Sequence, residues 1–510
     1  MDYRCVCLCI AAMTTMLSVP VETGEILVLV FPVWSHIKPK LNVAAALANI
    51  YGHHSTFILN EEYQKRVEEN NATKVILPAK YKTINAHLLI NAQVKDTCSH
   101  AGMPFSAIRE NARYLCDSLL SDDDLVTSLR QQNFDLALID NVVLADCFAV
   151  LAYKLGIPYV QLGAMNIPTR TRTPFMPSVH SSFAMLGFFN EMSFFQRVTN
   201  TLVSIVMAVL PEIIFPSDLV SMYAPEKPFL SLEVLHRRTS FHLIDLDFVM
   251  DFPRPLMPNM AFVGGLGTEK PKQLPSDLDS YMNSATDGVI IVSFGSVAQN
   301  LPKDRIEKLI GVFKKFKSKK FVLRYGNETK MEDNILLMPW LPQNDLLAHP
   351  NTKAFVTHCG SSGLYEGLYN AVPMIGLPFM IDGFYNCRKM AFKGFGISHD
   401  FCTFTDDELS SALQEVLQNP KYSAKIKKSS DIFHNQWGSP SERSAYWIDH
   451  VIQHGGDYLQ TPATDMPFYK YYLLDVLLFI TLVAFLIIWS CIRLVKICYR
   501  CFCKSKVKVE

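Results

Sequence analysis

The 510-residue sequence lacks an excess of charge of either sign. Lys and Arg together number 48, and Asp and Glu together also number 48, so the formal net charge is zero. Dedicated nucleic-acid-binding proteins usually carry a basic excess, so this balance argues against a nucleic-acid partner. The length exceeds what one ordinary core fills, and we expect two domains with appended segments.

The cysteines show neither the spacing of metal ligands nor the pattern of disulfide-dense repeats. Of 13 cysteines, three lie near the N-terminus and four lie in or after an apolar stretch near the C-terminus. The other six match no metal-ligand pattern, and we expect mostly buried thiols, with one bridge that the sequence does not assign: Cys98, Cys116, Cys147, Cys359, Cys387 and Cys402. The absence of disulfide-dense repeats disfavours a single-span receptor or adhesion protein.

Both ends of the chain carry apolar runs, uncharged at the N-terminal end and interrupted only by Asp475 at the C-terminal end. Arg4 precedes one such run and small residues follow it, so residues 1–21 are predicted to be a cleavable signal peptide. Residues 471–492 are long enough to cross a hydrocarbon layer of ~30 Å as a helix. The basic tail at 493–510 should then be cytosolic, which places the bulk of the chain in the lumen. Its last five residues, KVKVE, resemble an endoplasmic reticulum retrieval signal, so we expect a single-pass type I protein of that membrane.

Short apolar runs alternate with helical patterns along most of the chain. The runs Glu25–Pro32 and His54–Leu59 flank a helical stretch from about Pro39 to Tyr51, and Phe134–Asp140 begins a similar unit. The second half repeats the alternation, with strands predicted at Gly288–Phe294, Lys320–Tyr325, Ile335–Met338, Lys353–Thr357 and Pro373–Leu377. This alternation predicts an α/β protein with parallel sheets. We place two Rossmann-like domains at residues 22–255 and 256–460, facing a cleft.

One stretch of the second half is typical of nucleotide binding. Residues 356–367 read VTHCGSSGLYEG: a strand end, then His358, then small residues that begin a helix, then Glu366. Small residues at a helix start leave backbone N–H groups open to an anion, and the helix dipole adds partial positive charge. Ligands of open α/β sheets bind at such strand tips. The pattern predicts phosphate at the loop and ribose hydroxyls at Glu366.

The surrounding residues make this pattern resemble a known family. The run from Trp340 to Asn386, which includes MPWLPQNDLL before the loop and PFMIDG after it, is similar to the signature of the UDP-glycosyltransferases, the membrane-bound glucuronosyl- and glucosyltransferases of animals. Other stretches also resemble family landmarks: Pro253–Leu256, Phe262–Gly265, Val292–Ser296, Ala445–Ile448 and His454–Gly456. The resemblance covers nearly the whole chain and is weakest in the N-terminal half. It implies the GT-B fold, with the UDP-sugar held mainly by the C-terminal domain.

The resemblance also implies a role for each donor-site residue. Trp340 should stack on uracil, and Gln343 should hold the base or the ribose. Glu366 should hold the ribose hydroxyls, and Asp382 the hydroxyls of the sugar. The diphosphate is expected to contact His358, the backbone and side chains at Gly360, Ser362 and Gly363, and in addition Ser296 and Arg324. UDP-sugar is a co-substrate, so the resemblance implies no cofactor. It implies no metal either, because His358 and the helix dipole already neutralise the diphosphate.

The resemblance places the acceptor chemistry in the first half. His36 follows the first strand and Asp140 ends another strand; in the family such a histidine is the base and such an aspartate orients it. An acceptor hydroxyl must lose its proton as it attacks the anomeric carbon, and a neutral imidazole steadied by a carboxylate can take that proton. UDP then leaves from the opposite face, which implies inversion. Asp135 and Asp146 are competing acids, but Asp135 starts the strand and Asp146 is expected inside the following helix.

Two further features bear on chemistry. The acidic run Ser121–Asp124 is interpreted as a helix start rather than a metal site, because Ser and Asp suit that position. The family usually has Asp-Gln before the helix where this chain has Asp382-Gly383, and that glutamine normally contacts the donor sugar. The departure leaves the choice among glucuronic acid, glucose and another sugar open. Cys359 and Ser362 replace the commoner glycine and asparagine.

Two function hypotheses follow. The first is an inverting enzyme that moves a glucuronosyl or glucosyl group from a UDP-sugar to a hydroxyl or similar group of small lipophilic acceptors. The second is a catalytically weak or inactive UDP-sugar-binding partner that regulates active relatives. His36, Asp140, His358 and Glu366 favour the enzyme, whereas Gly383 favours the partner. The resemblance is compatible with homo-oligomers or hetero-oligomers among family members.

Overall fold

Strands and helices alternate along the computed structural model, as the sequence predicts. The structure describes residues 23–70, 73–81, 98, 105–142, 146–164, 168–182, 186, 188, 191–214, 218–295, 301–379 and 381–506. The strands are β1 Glu25–Leu29, β2 His54–Ile58, β3 Thr73–Ile76, β4 Leu136–Asp140, β5 Tyr159–Gly163, β6 Phe241–Ile244, β7 Met260–Phe262, β8 Val289–Ser293, β9 Lys320–Arg324, β10 Lys330–Glu332, β11 Ile335–Met338, β12 Thr352–Thr357, β13 Met374–Gly376 and β14 Gly396–Ser398. The predicted signal peptide lies outside the described residues.

The helices fill the connections between strands. They are α1 Trp34–Tyr51, α2 Gln64–Glu68, α3 Phe105–Leu120, α4 Asp123–Gln131, α5 Cys147–Leu155, α6 Pro168–Thr171, α7 Phe194–Ile214, α8 Leu219–Tyr223, α9 Leu232–Arg237, α10 Ser276–Asn283, α11 Lys303–Lys315, α12 Gln343–Ala348, α13 Ser361–Tyr369, α14 Ile381–Phe392, α15 Asp406–Gln418, α16 Pro420–His434, α17 Pro440–His454, α18 Phe468–Tyr471 and α19 Leu474–Lys506. Asp122 caps α4 by accepting a hydrogen bond from the Leu125 backbone, which confirms the helix-start interpretation of the acidic run.

The first sheet has the strand order β3-β2-β1-β4-β5-β6-β7 in the described part of the chain, and all its pairings are parallel. The order reverses between β1 and β4, whose register ends with Leu29 opposite Ile139. Ligands of such sheets bind at the carboxyl ends of the strands flanking this reversal. His36 follows β1 and Asp140 ends β4, so the fold brings both to that edge.

The second sheet has the order β10-β11-β9-β8-β12-β13-β14 in the described residues, with only the β10-β11 pairing antiparallel. Here the order reverses between β8 and β12, which end with Ser293 opposite Thr357. Phe294 and Gly295 after β8 and His358 after β12 therefore lie at the same edge. The predicted donor loop occupies the binding position of this sheet.

Apolar side chains cover both faces of each sheet. One core cluster includes Leu27 and Ala137, and the cluster on the other face of the first sheet includes Ile26 and Leu138. Two comparable clusters enclose the second sheet. Strands of a parallel sheet buried on both faces read as continuous apolar runs, which is why the sequence predicted them.

A helix near the end of the second half packs against the first sheet. Helix α17 buries Ala445, Ile448 and Val451 in the core cluster that contains Ile26, and Trp447 stacks on Phe241 with the ring centroids 4.4 Å apart. Strand β7 belongs to the first sheet although it follows residue 255, where we placed the end of the first domain. The boundary at residue 255 remains a prediction.

Four of the six cysteines in the body form bridges, so the expectation of mostly free thiols was wrong. Cys98 pairs with Cys402, and Cys359 pairs with Cys387, whereas Cys116 and Cys147 are buried and free. The partners are 304 and 28 residues apart. Sequence spacing alone does not reveal such pairings.

The C-terminal unit spans Gln460–Glu510. Its helix α19 contains a stretch, Leu474–Cys501, of mean hydropathy 2.5, which is long and apolar enough to cross a membrane. The predicted span at 471–492 overlaps this stretch, and the helix continues through much of the predicted basic tail. Residues 507–510 of the tail lie outside the described residues.

Candidate active site

His36 and Asp140 are in direct contact. The Nδ1 atom of His36 lies 2.7 Å from Oδ2 of Asp140, which also accepts a hydrogen bond from the Phe31 backbone at 3.2 Å. The Asp140 side chain is fully buried and the His36 side chain is 34% exposed. Asp140 holds the Nδ1 side of the partly exposed imidazole, and such a contact fixes the tautomer of a histidine. This is the arrangement of a general base with its orienting acid.

The competing acids have other roles. Asp135 accepts a hydrogen bond from the Glu25 backbone at 2.8 Å. Asp146 directly precedes α5 rather than lying inside it, and it is buried against Arg170 and His236. Neither acid is paired with His36 in the described residues. Asp140 is the carboxylate at the strand tip, as predicted.

His358 is packed between two glycine positions. A Cβ atom at Gly295 would lie 2.7 Å from the ring of His358, and a Cβ at Gly360 would lie 2.5 Å from its Nε2 atom. Real Cβ contacts are not this short, so both residues must lack a side chain for the imidazole to fit. Gly295 also has a φ of +83°, which favours glycine. Burial lowers the pKa of His358 to about 4, so the ring is neutral at pH 7.

The Nδ1 atom of His358 is buried and has no hydrogen-bond partner in the described part of the chain. A buried polar group without a partner is costly, and a ligand can supply one. Next to the ring, α13 begins at Ser361, and its N-cap residue, Gly360, has no side chain that could cap the first backbone N–H groups. An open helix start beside an imidazole donor suits a phosphate group.

The loop and its helix bring the predicted ribose carboxylate close to Gln343. Glu366, on α13, is 7% exposed and accepts a hydrogen bond from Nε2 of Gln343 at 2.5 Å. Burial raises the pKa of Glu366, and Lys38 opposes this shift. The Nζ atom of Lys38, which lies in the first half of the chain, is 3.8 Å from Glu366 and 3.4 Å from Glu269. Glu366 therefore faces the cleft between the two sheets.

Trp340 presents an aromatic face to cations from both halves. Its side chain is 43% exposed, with the guanidinium carbon of Arg324 4.7 Å and that of Arg66 4.8 Å from the ring centroid. Arg324 donates hydrogen bonds to the carbonyls of Gly295 and Pro339, so it links the segments that follow β8 and β11. It also lies near the predicted phosphate position. Arg66 also lies 3.5 Å from the ring of Trp34. Ser296 lies outside the described residues.

The start of α14 is pressed against the loop. Asp382 is exposed and accepts a hydrogen bond from Asn386 at 3.3 Å. A Cβ atom at Gly383 would lie 2.7 Å from the carbonyl oxygen of His358, so the backbones approach more closely there than a side chain allows. A side chain at position 383 would therefore require the loop or the start of α14 to shift.

A disulfide holds the same two segments together. Cys359 follows His358 in the loop with a φ of +65°, and its sulfur pairs with that of Cys387 on α14. A Cβ atom at Gly376, on β13, would collide with both sulfur atoms. The bridge therefore occupies a space that the neighbouring strand leaves open.

Several contacts at the site were not predicted from the sequence: those of Trp34, Lys38, Lys40, Arg66 and the Cys359–Cys387 bridge. Lys40 offered one signal, because it lies four residues after His36 and such residues share a helix face. The contacts of Lys38 with Glu366 and of Arg66 with Trp340 depend on the approach of the two halves, and the Cys359–Cys387 bridge depends on the packing of α14 against the loop. Sequence periodicity encodes neither.

The comparisons with known proteins agree with this geometry. The family model described as UDP-glucoronosyl and UDP-glucosyl transferase matches residues 35–509. UDP-glucuronosyltransferase 2C1 of Oryctolagus cuniculus is 33% identical over 78% of this chain and 80% of its own length. The 2-hydroxyacylsphingosine 1-beta-galactosyltransferase of Homo sapiens is 30% identical over 89% of this chain and 85% of its own length.

Solved structures show the same fold at low identity. A kitacinnamycin glycotransferase aligns with a TM-score of 0.59 and 19% identity, covering 84% of this chain and all of that one. A UDP-glucosyltransferase from Polygonum tinctorium aligns with a TM-score of 0.60 and 14% identity, covering 85% of this chain and 99% of that one. Two α/β halves with their sheets opened toward a cleft are the GT-B arrangement of glycosyltransferases.

Proposed function

Because the chain belongs to the UDP-glucuronosyl and UDP-glucosyl transferase family, we propose that this glycosyltransferase moves a hexosyl group from a UDP-sugar to a hydroxyl of small lipophilic acceptors, with inversion. The observation that carries the proposal is the contact between His36 and Asp140 at one sheet edge, together with the open, His358-flanked helix start at the other. One constellation can remove a proton, and the other can stabilise a departing diphosphate.

The donor binds, in this proposal, along α12 and α13. Uracil stacks on Trp340, the ribose hydroxyls bind Glu366, and the diphosphate binds His358 and the backbone of Gly360 to Gly363. Trp340 is exposed, the Glu366 side chain is buried with one side toward Lys38, and His358 has a nitrogen without a partner in the described residues. These three features match a planar base, a diol and an anion. The proposal requires no cofactor or metal.

Transfer then proceeds in one displacement. His36 takes the acceptor proton as the acceptor oxygen forms a bond to the anomeric carbon, and the bond from that carbon to the diphosphate oxygen breaks on the opposite face. Asp140 stabilises the imidazolium formed. His358, the open N–H groups of α13 and the helix dipole stabilise the charge that develops on UDP. Asp382, at the start of α14, binds hydroxyls of the sugar in this proposal.

We also propose that α19 anchors the chain in the endoplasmic reticulum membrane, with the two sheets in the lumen. The apolar helix and the basic residues after it support this orientation. The two disulfides suit an oxidising compartment. An active site on the lumenal side of a membrane suits acceptors that partition into lipid.

A donor panel tests the proposed activity. Membranes containing the chain would receive a mixture of phenols and steroids with UDP-glucuronic acid, UDP-glucose, UDP-galactose or UDP-N-acetylglucosamine, and released UDP would be measured. We expect acceptor-dependent release with one donor, and a product whose anomeric proton coupling shows inversion. If no donor gives UDP release although UDP still binds, the result would instead support the hypothesis of an inactive regulatory partner, which the glycine at 383 favours.

The Cys359–Cys387 bridge gives a separate prediction. Cys387→Ser frees α14 from the loop, so the KM for the UDP-sugar should rise several-fold with little change in the KM for the acceptor. The free energy of unfolding should fall by about 2–4 kcal/mol, the typical contribution of a disulfide. Cys147→Ala, which changes a free buried thiol of the first half, is the control. An unchanged donor KM in a folded Cys387→Ser variant would contradict the assignment.

A further inference from the structure

Asp140 has a second partner, Lys40. Lys40 lies one turn after His36 on α1, its side chain is 3% exposed, and its Nζ atom is 2.5 Å from Oδ1 of Asp140. The other oxygen of Asp140 faces His36 at 2.7 Å. The two oxygens of the buried carboxylate therefore contact different groups: one contacts the ammonium group and the other contacts the imidazole.

Burying an ammonium group is unfavourable unless it is paired, so a lysine at this buried position depends on its contact with Asp140. Lys40 and His36 draw on the same negative charge. Together they hold the pKa of Asp140 well below its usual range despite complete burial. Asp140 is therefore ionised at any pH at which the protein functions.

We propose that Lys40 is a positioning residue of the catalytic pair: it locks Asp140 in one orientation and offsets its charge, and so sets the proton affinity of His36. The proposal rests on the function assigned to His36 above. In a pair without Lys40, proton uptake by His36 creates an ion pair with Asp140. With Lys40 present, the imidazolium faces a carboxylate that is already paired. Asp140 then stabilises the imidazolium form of His36 less than an unpaired carboxylate would.

Other charged groups also face His36. Asp245, after β6, accepts hydrogen bonds from the backbones of Gly265 and Leu266, and burial raises its pKa. Asp382 on α14 interacts electrostatically with His36, and Lys38 lies two residues away on α1. These groups are present in the wild type and in every Lys40 variant, so they do not alter the sign of the difference between them. Removing the Lys40 charge must strengthen the attraction between Asp140 and the imidazolium form of His36.

The test is the pH dependence of Lys40→Met and Lys40→Arg. Activity falls on the acid side when His36 becomes protonated, so Lys40→Met should move the midpoint of the acid limb of kcat/KM upward by about one pH unit. Lys40→Arg keeps the charge and should restore the wild-type midpoint. The KM for the UDP-sugar should stay unchanged, since Lys40 does not face the donor residues. If Lys40→Met does not fold, Lys40→Gln removes the same charge and keeps a hydrogen-bond donor.

A second readout does not depend on turnover. Diethyl pyrocarbonate modifies neutral imidazole, and the partly exposed His36 can be followed by peptide mass spectrometry, with His36→Ala as the blank. The midpoint of its modification rate should show the same upward shift in Lys40→Met. Because this measurement needs no UDP-sugar, it separates failure of this inference from failure of the proposed function.

Lys389 provides a matched control. It forms another buried pair, with Nζ 2.9 Å from Oδ2 of Asp251, and both side chains are at most 3% exposed. Lys389→Met should destabilise the fold to a similar degree but leave both midpoints in place. The proposal is overturned if folded Lys40→Met keeps the wild-type midpoints, or if both Met variants merely lose activity by similar factors.

Discussion

Replacing His36 with alanine is expected to lower kcat for glycosyl transfer by about 10²–10⁴-fold, the usual contribution of a general base. The Nδ1 atom of His36 is held by Asp140, and the His36 side chain is 34% exposed. Without the imidazole, the acceptor hydroxyl must lose its proton to water. The donor site lies on the other sheet, so the affinity for UDP should remain within about twofold. The rate of acceptor-dependent UDP release at saturating donor measures the effect.

His54→Ala is the control for this experiment. His54 is an exposed histidine at the start of β2, paired with Glu25 at 3.3 Å, and it lies at the opposite end of the strands from His36. Its replacement should leave turnover unchanged. If His36→Ala keeps wild-type kcat while His54→Ala behaves as expected, another group must be the base and the proposed role of the His36–Asp140 pair is wrong.

Replacing Glu366 with alanine is expected to weaken UDP binding by at least about 10²-fold. A buried carboxylate that accepts two ribose hydroxyls makes two charge-assisted hydrogen bonds, each worth about 1.5–3 kcal/mol. Gln343, which is 2.5 Å from Glu366, would also lose its partner. The loss should appear in titrations with UDP and with the UDP-sugar alike, because both carry the ribose.

Glu269→Ala separates the ribose contact from the ion pair with Lys38. Lys38 lies between the two carboxylates, 3.4 Å from Glu269 and 3.8 Å from Glu366. If Glu366 acts only by holding Lys38, both alanine variants should weaken UDP to a similar degree. We expect Glu269→Ala to change the affinity less than about threefold. Equal losses would contradict the assignment of Glu366 to the ribose.

The two-sheet architecture could be predicted from the sequence because parallel strands buried on both faces form continuous apolar runs. The run predicted at Lys320–Tyr325, for example, became β9 at Lys320–Arg324. The start of α1 was less well predicted. Proline favours the first turn of a helix, and the prediction began the helix near Pro39, but α1 begins at Trp34 with Pro39 inside it. His36 is therefore held by a helix rather than a loop.

The parts of the site that depend on distant segments could not be predicted. His36 and Asp140 are 104 residues apart, and their pairing rested on a family resemblance that the contact between them now supports. Nothing local to Lys38 indicates that it reaches Glu366 across the cleft. The Cys359–Cys387 bridge depends equally on the packing of α14 against the loop. Periodicity determines which face of an element is buried, but it does not determine which distant side chain meets it.

Titration of UDP into the protein, with CMP and inorganic pyrophosphate as competitors, tests the proposed donor site as a whole. In the proposed complex, uracil lies on Trp340, the ribose on Glu366 and the diphosphate at the start of α13. We therefore expect one saturable site in which UDP binds much more tightly than pyrophosphate, and tightly in the wild type but not in Glu366→Ala. A folded wild-type protein that does not bind UDP, or that binds it no better than pyrophosphate, would contradict the account.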